Sequence, residues 1–177
     1  SGNWLLSLIM IAIGGAIGNN STGSHSLKYG TPDAYIESVE AVLADGTRTT
    51  FGEVTLEELA ERGDPDGDLE ERIYAEVGRL VQEDADLIEE AYPDLKRNVS
   101  GYNLDRLVAE ARGKPLPGGQ ETGEAGTVNL ARLLAGSEGT LAIVTEATVS
   151  LEPVPETKSV SLLCYSDLHD AMRDVAP

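Results

Sequence analysis

The chain has 177 residues, enough for one domain of ordinary size or one domain with part of a neighbour, and too many to depend on disulfide or metal staples. Hydrophobic residues make up 41% and charged residues 25%, which excludes a disordered or collagen-like chain. Against 31 acidic residues stand 13 basic ones, and the formal net charge of -18 excludes nucleic acid and anionic membrane surfaces as partners, since both require a basic face. The basic residues are 4 Lys and 9 Arg, a composition shared with proteins of salt-loving microbes. In such organisms concentrated salt shortens the Debye length to roughly 3 Å and screens self-repulsion. The single cysteine, Cys164, allows no internal disulfide and suits a reducing, cytoplasmic setting.

In chain order, residues 4–17 are mostly apolar but fall short of the roughly 20 that a membrane-spanning helix needs, and no basic residue precedes them. Residues 8–13 read as a buried strand ended by Gly14 and Gly15. An apolar strand so early suggests a piece of a longer sheet. Residues 19–26 are small and polar, the pattern of a tight loop. Residues 36–43 and 47–51 flank Asp45-Gly46, which predicts a β-hairpin closed by a two-residue turn.

Thr55 followed by Glu58 has capping-box spacing and predicts a helix to about Arg62. A longer helix is expected over residues 69–91, with Ile73, Val77, Leu80, Val81, Leu87 and Ile88 on its apolar face. Residues 53–94 hold 16 acidic residues and 3 Arg, a net of 13 negative charges, and read as an acidic helical insertion. Its solvated face is the plain reading; a docking surface for a basic partner is the alternative. Asp64-Pro65-Asp66-Gly67-Asp68 is similar to a calcium loop but places Gly67 fourth and Ala75 twelfth, which breaks the EF-hand spacing. Residues 112–128, rich in Gly and Pro, read as a mobile surface excursion. Residues 129–134 predict a brief helix ended by Gly136, and residues 141–151 a strand. Beyond Pro153 and Pro155, a strand over 160–165 and a helix over 166–175 read as the first βα unit of a further domain.

The sequence carries no nucleophile elbow, P-loop, CxxC or H-E-x-x-H motif. His25 and His169 lie far apart, and Gly14-Gly15-Ala16-Ile17-Gly18 lacks the dinucleotide-loop spacing. Two small-residue clusters remain, residues 14–26 and 136–140. Glycine lets a ligand approach the backbone, and successive N–H groups can form an anion-binding nest without any basic side chain.

These clusters carry a resemblance to a known family. Ile13 to Ser26 (IGGAIGNNSTGSHS), Tyr29-Gly30, Val42 to Gly46 (VLADG), Lys96 to Leu104 (KRNVSGYNL) and Asn129 to Glu146 (NLARLLAGSEGTLAIVTE) follow one another as in FAD-linked 2-hydroxyacid dehydrogenases. The NNSxGxHS form resembles the D-lactate, glycolate and D-2-hydroxyglutarate branch. The resemblance implies an α+β fold, the second subdomain of a vanillyl-alcohol-oxidase-type (PCMH-type) FAD-binding domain, with a mixed or antiparallel sheet and flanking helices. Residues 1–155 would then be a partial FAD-binding domain without its N-terminal subdomain, and residues 156–177 the start of a truncated substrate domain. The implied cofactor is FAD. Its implied contacts are Gly14, Gly15, Asn19, Asn20, Ser21, Thr22 and Gly23 from the first cluster, with Glu138, Gly139, Thr140, Leu141, Ala142, Ile143 and Val144 from the second. The implied reaction is oxidation of a small 2-hydroxy acid by hydride transfer to FAD, with an unidentified electron acceptor. No catalytic residue and no metal ligand is assigned, and the isolated chain is expected to be inactive. The alternative from another class is an inactive acidic module that keeps the fold and docks a basic partner through residues 53–94.

Overall fold

A computed structural model describes residues 13–93, 95, 98–116, 125–157, 159–160 and 162–175. Residues 8–12 of the expected first strand lie outside this set, as do residues 117–124 of the expected surface excursion. Gly14 and Gly15 do not end a strand: residues 13–18 are helical (α1). Three glycines within residues 13–18 weaken the intrinsic helix propensity there, and the helix end supplies the compensation. The Ser21 N–H donates to the Ala16 carbonyl and the Asn20 N–H to the Ile17 carbonyl, a Schellman pair, with Asn20 in the left-handed region at φ 45°. Residues Ser26–Tyr29 form a single helical turn (α2), and Pro32–Tyr35 a 3-10 turn.

The hairpin is present as β1 (Ile36–Val42) and β2 (Arg48–Thr55). Its loop holds three residues, not two. The Leu43 N–H donates to Thr47, the Gly46 N–H donates back to Leu43, and Gly46 sits at φ 88°. That is the arrangement in which a turn is followed by a left-handed glycine, and it restores strand twist as well as a two-residue turn does. The Asp45 carboxylate accepts from the Thr47 N–H, which holds the loop and keeps that carboxyl below its ordinary pKa.

The capping box forms as the spacing predicts. Thr55 Oγ1 accepts from the Glu58 N–H and the Glu58 carboxylate accepts from the Thr55 N–H, opening α3 (Leu56–Arg62). A second box, Asp68 with Glu71, opens α4 (Leu69–Gln82). The aspartates of the calcium-like stretch therefore serve the chain itself: Asp68 caps α4, and the Asp64 carboxylate accepts from the Asp66 N–H. The helix expected over 69–91 is broken at Glu83 and Asp84 into α4 and α5 (Ala85–Ala91). The break lets Val77 and Val81 on one segment and Ala85 and Ile88 on the next all reach the core, while Leu87 stays exposed.

The sequence reading has no counterpart for α6 (Leu104–Ala111), whose residues 106–110 are all buried. Three charges, Asp105, Arg106 and Glu110, interrupt its apolar pattern, the last two of them buried, and Asn103 does not cap it through its side chain. Instead the Asn103 amide donates to the carbonyls of Arg132 and Ala135. Residues 127–128, within the stretch read as an excursion, belong to β3 (Thr127–Asn129). Then come α7 (Ala131–Leu134) and β4 (Ile143–Val149).

The strands form one antiparallel sheet in the order β3-β2-β1-β4, so the α+β class holds. An irregularity between Ile36 and Ser38 against β4 resets the alternation, and Ile36 and Val39 both face inward although three positions apart. Among the described residues, the sheet, α3 to α6 and α7 enclose one apolar cluster. Phe51 meets the Tyr74 ring at 6.2 Å between centroids, and the Arg62 guanidinium lies 3.8 Å over Tyr74. Leu59, Tyr74, Val77 and Val81 come from the acidic segment 53–94, which is thus part of this core. Beyond β4, α8 (Leu168–Val175) appears as expected, but the described residues of 160–165 are not a strand.

Candidate functional site

The two small-residue clusters, remote in sequence, are joined in space. The Gly136 N–H donates to the Ile17 carbonyl at 3.0 Å and the Glu138 N–H to the Gly18 carbonyl at 2.9 Å. Gly136 packs so closely on the first cluster that a Cβ there would stand 3.3 Å from the Asn20 Cβ. Gly136, Glu138 and Gly139 are all left-handed, at φ 80°, 51° and 78°. This folds residues 136–140 into a tight turn whose Gly136, Ser137, Glu138 and Thr140 N–H groups are all taken by main-chain carbonyls. The Thr140 N–H and hydroxyl both donate to the Ser137 carbonyl, and the Ser137 hydroxyl donates to Leu134, which fixes the turn from inside.

The third motif reaches the same place. Tyr102 Oη lies 3.1 Å from Thr140 Oγ1, with Gly101 left-handed beside it. Lys96 and Arg97 lie outside the described residues. Of the expected contact residues, Gly14, Gly15, Asn19, Thr22, Gly23, Glu138, Gly139, Thr140, Leu141, Ile143 and Val144 are exposed, Ser21 is half-buried, and Asn20 and Ala142 are buried. Ile143 and Val144 open β4 and form part of the sheet edge, while Ala142 joins the core.

A group recognised mainly through backbone fits this junction. A Cβ at Gly14, Gly15, Gly18, Gly23 or Gly139 would meet no atom within 4 Å, so the glycines leave open space along the exposed main chain. The buried Asn20 amide Nδ2 has no hydrogen-bond partner. Both observations suit a ligand rich in acceptors, such as the pyrophosphate and ring carbonyls of a dinucleotide.

Behind the junction lies a buried polar network that the sequence did not disclose. The Asp33 N–H donates to Asn20 Oδ1 at 3.1 Å. The Asp33 carboxylate takes the Thr31 hydroxyl on one oxygen and meets Arg106 Nε at 2.7 Å on the other, a charge contact rather than an aligned hydrogen bond. Arg132 Nη1 donates to the Asp33 carbonyl, and Arg132 Nε pairs with Glu110 at 2.6 Å. The other Glu110 oxygen accepts from the Asn129 N–H, and the Asn129 amide donates to the carbonyls of Ile36 and Glu37. Burial pushes the Glu110 carboxyl above its ordinary pKa, and Arg132 and the Asn129 N–H oppose that shift. The one signal in the sequence is charge inside an apolar helix: Arg106 and Glu110 lie among Leu107, Val108 and Ala109.

Comparison with known proteins bears on this arrangement. An FAD binding domain family matches residues 2–52, which include the first cluster. A D-2-hydroxyglutarate dehydrogenase of Pantoea ananatis is 31% identical over 165 residues, covering 92% of this chain. Over this span the chain is similar to FAD-linked 2-hydroxyacid dehydrogenases. The Escherichia coli D-2-hydroxyglutarate dehydrogenase is 29% identical over 162 residues, and the Bacillus subtilis glycolate oxidase subunit GlcD 29% over 170 residues. The chain spans only 14% of the length of the first two and 22% of the third. No solved structure matches. FAD is accordingly the cofactor of this flavin domain. Among the described residues no helix is long and apolar enough to cross a membrane.

Proposed function

We propose that this chain is the FAD-holding part of a cytoplasmic enzyme that oxidises a small 2-hydroxy acid and passes the electrons to a separate acceptor. The observation that carries the reading is the pair of hydrogen bonds from Gly136 and Glu138 to Ile17 and Gly18, which makes one backbone surface of two remote glycine clusters. The names of the relatives supply the substrate class.

In this reading the open main chain at Gly14, Gly15, Gly18, Gly23 and Gly139 and the unpartnered Asn20 Nδ2 face the cofactor, so that the strongly acidic chain takes an anionic ligand without basic side chains. Leu141, Ile143 and Val144 supply exposed apolar surface beside it. Bound FAD supplies the hydride acceptor for the substrate's α-hydrogen. The orienting groups for the substrate carboxylate then come from elsewhere in the full-length protein. Residues 156–177 would begin that part, in keeping with Leu162, Leu163, Leu168 and Met172 being exposed.

The test is FAD titration, followed by quenching of flavin fluorescence, of this chain and of the full-length protein containing it. Stoichiometric FAD in the full-length protein is expected, with weaker retention by the chain alone. A full-length protein that holds no flavin overturns the reading.

A further inference from the structure

Every polar group of Asp33 is engaged, and its partners lie on separate parts of the junction. Its N–H holds Asn20, which ends α1 and stands against Gly136. Its carbonyl receives Arg132, on the helix that leads into residues 136–144, across 99 positions of sequence. Its carboxylate is pinned by Thr31 and by Arg106 of α6, and Arg106 also donates to Thr31 Oγ1 at 3.2 Å. Asp33 is 0% exposed, so it touches no ligand itself. The hydrogen bond to its N–H also fixes which way the Asn20 amide is turned: Oδ1 is consumed inward and Nδ2 is left as the donor without a partner.

We propose that Asp33 is the positioning residue of the flavin cradle. Held by Arg106 and Thr31, it sets the spacing between the two glycine clusters and the orientation of the Asn20 amide. The inference rests on the FAD reading above and adds to it a residue outside every motif that carries the resemblance. A buried ion pair suits the task because its two members cannot drift apart without leaving a charge unpaired in the interior. The backbone of Asp33 then transmits that fixed position in two directions, through its N–H to one cluster and through its carbonyl to the other.

Four main-chain amides report on the junction. Gly136 and Glu138 donate across the junction, and Asn20 and Ser21 donate within the Schellman turn. Hydrogen exchange of these four amides is measured in the chain without FAD, and FAD affinity is then measured by titration. In Asp33→Asn both pairs are expected to exchange at least about tenfold faster together, while the β1–β2 hairpin amides keep their protection and FAD affinity falls about tenfold or more. Thr55→Ala, which loosens α3, serves as the destabilised control in which no such selective loss occurs. Faster exchange in only one pair, an equal loss across the hairpin, or FAD affinity within twofold of the parent overturns the proposal. Arg132→Gln, which leaves the Asp33–Arg106 pair in place, covers the case in which Asp33→Asn does not fold. It should release Gly136 and Glu138 and weaken FAD, and unchanged exchange there also overturns the proposal. A parent protein without FAD affinity strikes the functional reading instead, and the exchange data still judge the coupling.

Discussion

Gly136 and Gly139 share a left-handed backbone but differ in surroundings. At Gly136 a Cβ meets Asn20 at 3.3 Å, whereas at Gly139 it meets nothing within 4 Å. Alanine at either site carries the left-handed cost of roughly 1–2 kcal/mol. Gly136→Ala must also push the two clusters apart. Urea unfolding should therefore show Gly136→Ala as the more destabilising, by about 2 kcal/mol or more against about 1 for Gly139→Ala. FAD titration should rank the pair differently relative to stability, since a methyl at 139 enters the open space of the cradle. Both glycines stand inside the motif that was legible in the sequence. Asp33, Arg106 and Glu110 do not, because a buried charge is recognised by its partner, and the partners lie tens of residues away. Local pattern carries no information about a pairing closed only by the fold.

At the level of elements, the sequence was most informative where the determining contact is local. The Thr55–Glu58 box, the hairpin and β4 all follow from neighbours within a few positions, and each is found close to its expected limits. Thr55→Ala should cost about 1 kcal/mol in urea unfolding. The Thr55 amide and hydroxyl hold the Glu58 carboxyl below its ordinary pKa. The contribution of this carboxylate to stability is therefore complete above the ordinary carboxylate range and is lost as pH falls through its lowered folded value. Glu58→Gln should flatten that acid limb of the stability curve, and an unchanged limb would count against the cap. Where tertiary packing decides, the reading went astray. The break at Glu83 and Asp84 interrupts a pattern that runs on in sequence, because Arg79 reaches across it to Asp84 at 2.6 Å and the core takes residues from both segments. Residues 160–165 have the composition of a strand, yet no described strand lies beside them, and Val160 and Leu162 are 98% and 89% exposed. Helix α6 escapes for the reverse reason, since its three charges hide an element buried almost all round.

For the molecule as a whole, the charge of -18 and the packing belong together. The helices that carry most of the acid also supply Leu59, Tyr74 and Val77 to the core, so repulsion on their outer faces acts directly on its closure. Some of it is relieved by pairs: Arg62 with Glu70, Arg79 with Glu76 and Asp84, and Arg112 and Lys114 with Glu89. Such exposed pairs contribute little each. We therefore expect a halophile's response, in which the melting temperature measured by circular dichroism falls as potassium chloride is lowered from about 2 M to about 0.1 M. A melting temperature constant over that range would remove the salt-adaptation reading.

The bonds from Gly136 to Ile17 and from Glu138 to Gly18 also bear on how the chain reaches this state. They join segments about 120 positions apart, while the hairpin and the capped helices close within a few residues. Loop closure makes such distant contacts late, after the local ones have drawn the ends together. The hairpin should thus be established before the cradle in folding and persist after it in unfolding. A ligand held across that seam would act as a clasp, favouring the completed fold over every partly open form by the margin of its own affinity.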